Sequence, residues 1–188
     1  MAATYIALLK AVNVSGVNSL PMKDFVQLLG KMGLKDVRTY IQSGNAVFRA
    51  GEKEVAGLPD KIKARINRSH GFAPEVILLS LDEMEKAIAS NPYPEAEPEP
   101  KSLHLAFLAA APKTPDLAAL ERVRKASERF ALKGRVLYVH APEGAGESKL
   151  FPRIERSLGV AATARNWRTA CKVLEMARQG IVVKSAQA

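Results

Sequence analysis

The chain has 188 residues, 47% apolar and 25% charged: enough for one sizeable domain or two small ones sharing an interface, with no low-complexity tract. A single cysteine, Cys171, excludes an internal disulfide framework, and three scattered histidines without Cys or carboxylate at ligand spacing exclude a dedicated zinc site. The formal charge of +9 arises beyond residue 100, where 16 Lys and Arg face 7 Asp and Glu, against 12 of each before it; such asymmetry invites an anionic partner.

The opening MAATYIALLKAV has no basic leader region and its apolar run is broken by Lys10, so it reads as neither signal peptide nor membrane span, and the expected compartment is the cytoplasm. Thr4 to Val12 suits a central strand buried on both faces. Asn13 to Ser19 breaks it. Pro21 opens a helix with Met22, Phe25, Val26 and Leu29 on one face, closed at Gly33. Thr39 to Phe48, TYIQSGNAVF, reads as a β-hairpin in which Ser43, Gly44 and Asn45 turn the chain. A second helix starts at Pro59, carries Leu58, Ile62 and Ile66 inward and stops at Gly71, and Val76 to Leu79 returns as a strand. The order β-α-β-β-α-β is that of a ferredoxin-like unit. Ser80 to Glu83 is a capping box opening one more helix.

Asn91 to Pro100, with four prolines, reads as a semi-rigid extended linker in which Tyr93 anchors on a neighbouring surface. The same grammar then repeats. Leu103 to Leu108 is a strand, Thr114-Pro115 opens a helix, Phe130 to Val139 is a hairpin turning at Lys133-Gly134, Ser148 to Leu158 is a helix and Ala161 to Thr163 a short strand. A last helix runs from Asn166 to Gln179, and the tail after Gly180 is expected to fray. The expected fold is α+β: two ferredoxin-like units packed together plus a C-terminal helix, divided as 1–90, a linker at 91–100, and 101–188.

Candidate site residues come from three polar stretches. The hairpin tip, Ser43, Gly44 and Asn45, and the loop residue Asn13 carry donors that suit an anion or polar substrate. In Glu143 to Leu150, two glycines precede a helix expected to start at Ser148-Lys149; the P-loop spacing is absent, which leaves an unspecialised anion pocket around Lys149. In Thr163 to Thr169, Asn166 is a natural N-cap and Arg165 offers a fork of donors suited to phosphate or carboxylate, while Trp167 reads as a core anchor. Arg38 and Tyr40 share a strand face that could stack bases. His104, on a strand between leucines, and Cys171, one turn before Leu174, read as packing residues.

The stretches LLKAVNVSGVN at 8–18, TYIQSGNAVF at 39–48, NPYP at 91–94, SKL at 148–150 and TARNWRT at 163–169 resemble DUF1697, a bacterial family of uncharacterised proteins. The first motif departs from the usual pattern: Lys10-Ala11 and Ser15-Gly16 stand where that pattern has an Arg-Gly pair and a double Gly. The resemblance implies two ferredoxin-like parts and no assigned activity. The residues themselves favour a binding module for an anionic ligand, a phosphorylated metabolite, nucleotide or nucleic acid, at a polar site between the units where Asn13, Ser43, Gly44, Asn45, Lys149, Arg165 and Asn166 meet, with no cofactor, metal or membrane. One alternative is a small-molecule hydrolase or transferase using Lys149 or Arg165 electrostatically, which lacks a general base tied to these motifs. The other is that the polar motifs only cap and lock the fold.

Overall fold

The computed structural model describes residues 2–185. Two compact units are distinguished by their internal contacts: unit 1 runs to Lys86 and resumes at Lys172, and unit 2 is Ala87–Cys171.

Unit 1 contains β1 (Ala3–Leu9), α1 (Met22–Lys31), β2 (Lys35–Tyr40), β3 (Asn45–Ala50), the short α2 (Glu52–Val55), α3 (Leu58–His70), β4 (Val76–Ser80) and α4 (Leu81–Ala89), whose last residues pass into unit 2. Its sheet order is β2-β3-β1-β4, with all pairings antiparallel, the arrangement of a ferredoxin-like unit. The continuous apolar run predicts a central strand, and Ile6, Ala7, Leu8 and Leu9 are all fully buried. Alternation along β1 and β3 sends Ala7, Leu9, Ala46 and Phe48 towards Phe25 and Leu29 of α1 and Ile62 and Ile66 of α3, which together form one core. Each such large side chain contributes about 1.5–3 kcal/mol by leaving water. The opposite face of the sheet, with Ile6, Leu8, Val47 and Leu79, is buried as well.

The capping box reads correctly from sequence: Ser80 N donates to Glu83 Oε2 at 2.8 Å and Glu83 N to Ser80 Oγ at 3.1 Å. The hairpin is displaced by a residue or two from its expected position. β2 ends at Tyr40 and Asn45 is already the first residue of β3, so the turn is residues 41–44.

Unit 2 repeats the order with β5 (Leu103–Leu108), α5 (Leu117–Glu121), β6 (Arg129–Lys133), β7 (Val136–His140), α6 (Ile154–Leu158) and β8 (Ala162–Asn166), in a sheet ordered β6-β7-β5-β8. Leu108, Leu137 and Val139 pack with Leu120 of α5 and Leu150, Ile154 and Leu158 around α6. Three expectations are corrected here. The helix predicted from Ser148 does not form there: Ser148 is extended, a 3-10 turn occupies Phe151–Arg153, and only five residues are α-helical, because Pro152 lacks an N–H and can only begin a helical segment. The strand predicted at 161–163 runs on to Asn166, so Ala164 and Arg165 are strand residues paired with Ala106 and Leu105. The Pro-rich stretch is coiled rather than extended: Asn91 Nδ2 donates to Glu97 Oε1 at 2.8 Å across a 3-10 turn at Pro94–Ala96, and Tyr93 is buried.

The final helix α7 (Trp167–Ser185) starts in unit 2 and continues in unit 1. It continues past Gly180 to Ser185, where fraying is expected from the sequence; residues 186–188 lie outside the described part. Its unit 1 portion is tied to that sheet and to α4: Arg38 donates to the Met176 carbonyl at 2.6 Å, and Arg178 pairs with Glu85 at 2.8 Å.

Candidate functional site

In unit 1 the structure brings four of the expected residues onto one pair of loops. Asn13 uses its whole amide. Its Nδ2 donates to Leu20 O at 2.8 Å and to Gln42 O at 2.7 Å, and its Oδ1 accepts from Leu20 N at 2.8 Å. The side chain thus fastens the 13–20 loop to the hairpin turn. Asn45, 1% exposed, lies opposite Leu8 on the sheet face turned away from α1 and α3, and donates to Tyr40 O and Ser43 Oγ at 3.1 and 3.0 Å. Gly44 is required at its position. Its φ is +72°, its carbonyl accepts from Leu9 N, and an added Cβ would meet Leu9 Cβ at 2.7 Å.

These loops also concentrate backbone strain. Of the non-glycine residues with positive φ among those described, Ala11, Asn13, Ser15, Asn18 and Ile41 belong to them, and only Asp36 lies elsewhere. A β-branched residue such as Ile41 in this region is a marked departure from ordinary backbone preference. Val14, Val17 and Ile41 are each at least half exposed on the same loops.

Arg38 and Tyr40 lie on β2, half-buried. With its guanidinium on the Met176 carbonyl, Arg38 ties α7 down.

In unit 2, Arg165 projects from the face of β8 that also carries Thr163, away from α6, opposite Leu105. It is 8% exposed, and one terminal nitrogen donates to Thr163 Oγ1 and to Ala164 O, both at 2.8 Å. Burial pulls its pKa down to about 10, which still leaves it a cation at neutral pH. Asn166 next to it caps α7 as expected, its Oδ1 accepting from Thr169 N at 2.9 Å. Trp167 is buried, in keeping with an anchor. Lys149 is exposed and follows a 3-10 turn at Ala145–Glu147, so no α-helix start lies beside it.

His104 is half-buried, its ring edge-on to Phe151 at 5.0 Å, and burial lowers its pKa. Cys171 stays a thiol: burial first and the Glu97 carboxylate second push its pKa up.

Two side-chain groups have no counterpart in the sequence reading. In unit 2 the Arg129 guanidinium lies 4.5 Å over the Tyr93 ring, pairs with Glu95 and reaches His140 Nδ1 at 3.1 Å. His140 is lowered by burial and then by Arg129, while the Arg129 hydrogen bond holds the Glu95 carboxyl below its usual range. In unit 1, α1 and α3 border a cavity of about 260 Å³ walled by Lys31, Arg65, Arg68 and His70 together with Asp24 and Leu28. Arg65 and Arg68 lie off the Leu58, Ile62 and Ile66 stripe of α3, and the approach of α1 is not visible in the sequence.

Among the described residues no helix is long and apolar enough to cross a membrane, and no group of three or more His, Cys, Asp or Glu is placed to hold a metal ion.

The fold is shared with the conserved bacterial protein SP0830 from Streptococcus pneumoniae, with a TM-score of 0.73 at 22% identity over 94% of this chain and 99% of that one. No curated protein matches the sequence. The model of the family described as "Protein of unknown function (DUF1697)" matches residues 2–138. A match over that much of the chain, joined to two sheets of the expected strand order, establishes that this protein belongs to the DUF1697 family.

Proposed function

We propose that the protein is a binding module for an anionic ligand, and that Arg165, with Asn166 and Lys149 as neighbours in sequence or unit, provides the contact that discriminates charge. What supports the reading is the state of Arg165: a guanidinium protonated at neutral pH and almost out of water, one terminal nitrogen of which donates to the Thr163 hydroxyl and the Ala164 carbonyl. Its field is screened far less than that of a surface cation, so a phosphate or carboxylate docked against it gains correspondingly more. Asn166 stands at the start of a 19-residue helix, whose dipole adds a contribution of the same sign.

The test is a thermal-shift series with nucleotides, phosphorylated metabolites and short single-stranded oligonucleotides. A ligand at 100 times its Kd adds about 2.7 kcal/mol to the native state and raises the melting temperature. Arg165→Ala abolishes the shift, and Arg165→Lys, which keeps the charge and loses the fork, retains part of it. No shift with any of these anions on the wild-type protein overturns the reading.

For Asn13, Ser43, Gly44 and Asn45 a second reading is favoured by their own geometry. The Asn13 and Asn45 amides are bonded to backbone and to Ser43, and Gly44 makes room for Leu9, so these residues build the loop platform itself.

A further inference from the structure

We propose that the cavity between α1 and α3 of unit 1 is a site for a small phosphate monoester. Lys31 comes from the last turn of α1, and Arg65 and Arg68 come from one side of α3, three residues apart. Among the described residues none of these three pairs with a carboxylate. The one carboxylate in the wall, Asp24, lies 3.5 Å from His70 Nε2. Leaving His70 aside, three cations face one carboxylate in the wall, a net of two positive charges, the complement of the dianion that a phosphate monoester presents near neutral pH.

Cations in the last turn of a helix also offset its dipole, and this accounts for part of the arrangement. It does not account for all of it. Arg65 lies a turn before the end of α3, His70 already serves that end, and the cations of two helices face one cavity. Two guanidiniums on a single helix side offer paired N–H donors in the geometry that phosphate oxygens accept. The Ser69 hydroxyl, 2.7 Å from His70 Nδ1 and 3.0 Å from the Arg65 carbonyl, holds the imidazole against α3 with its other edge towards Asp24. Leu28 supplies an apolar wall, so the phosphate enters with a hydrocarbon portion beside it. At about 260 Å³ the space is at the small end of ligand sites, which fits a monoester and excludes a dinucleotide. The site is built from residues other than Arg165 and stands independently of the function proposed above.

Phenyl phosphate is the probe. Isothermal titration of the full chain should give saturable binding, weakened about tenfold by Arg65→Ala and again by Arg68→Ala, since charge-assisted hydrogen bonds are lost at each step. The titrations are repeated in the Arg165→Ala background, so that binding at Arg165 and binding at this cavity are read separately. All three histidines are observable in proton–carbon spectra, and the His70 imidazole signals, assigned with His70→Gln, should move on titration while those of His104 and His140 stay. Arg65 and Arg68 are exposed, so their variants fold and the comparison is clean. Absence of saturable binding, binding indifferent to Arg65 and Arg68, or loss in Arg165→Ala alone each overturns the proposal; the last of these supports the Arg165 reading instead.

Discussion

At the scale of single residues, the most demanding position is Gly44. Alanine there meets both a positive φ and a Cβ contact of 2.7 Å with Leu9, a residue that is fully buried and cannot yield. Gly44→Ala should cost about 2–4 kcal/mol in urea unfolding, the sum of backbone strain and overpacking. Asn13→Ala removes three hydrogen bonds, two that close the 13–20 loop on Leu20 and one that ties it to the hairpin turn at Gln42, and should cost about 1–3 kcal/mol, with hydrogen exchange accelerated at Leu20, whose amide loses its acceptor. His104 gives the fold a pH dependence. Burial lowers its folded pKa below the usual 6.5, so protonation favours the unfolded chain. Its contribution is complete above 6.5 and is lost as pH falls through that value towards the folded pKa. His140 acts in the same direction, so His104→Phe should reduce the fall of melting temperature between pH 7 and 5 without removing it.

At the scale of elements, the Pro-rich stretch 91–100 behaves as a structural part of unit 2. Tyr93→Ala removes a buried ring and the surface under Arg129, and should cost about 3–5 kcal/mol by calorimetry, as large aromatic truncations do. A double-mutant cycle with Arg129→Ala should return a coupling of about 0.5–2 kcal/mol, the part due to the stacked cation. What the sequence discloses about elements follows from how local each determinant is. β1, α1, α3 and β5 are legible because apolar period and capping residues lie within each segment. The 148–158 helix is misread because the apolar spacing of Leu150, Phe151, Ile154 and Leu158 is helical while Pro152 forbids the hydrogen bond. The docking of 91–100 is illegible because it depends on Arg129 and His140, more than thirty residues away. Asn13 and residues 43–45 stand out in the sequence as polar candidates for a site; that Asn13 reaches across to Gln42 depends on the tertiary path of two loops.

At the scale of the whole molecule, the repeated β-α-β-β-α-β order is readable twice over, and both sheets have the strand order it implies. The cavity charges are not readable, since Lys31 and the arginines of α3 are more than thirty residues apart and meet only through packing of α1 on α3. The division of the chain also departs from a simple succession, because unit 1 takes back the last helix. Truncation after Cys171 should therefore weaken unit 1: without the Met176 carbonyl and Arg178, the strand bearing Arg38 and the helix bearing Glu85 lose partners, and hydrogen exchange in β2 should rise well before that in β5 or β7.

The return of α7 to unit 1 sets an order of events during synthesis. Ribosomes deliver the chain from its amino end at about 5–20 residues per second, and domains generally fold as they emerge. Here all of unit 2 is translated between the first sheet and the helix that completes unit 1. Unit 2 has its strands and short helices available earlier than unit 1 has its full set. On a chain ended at residue 171 and released, the second sheet should already resist protease while the older, amino-terminal one is still the more easily cut.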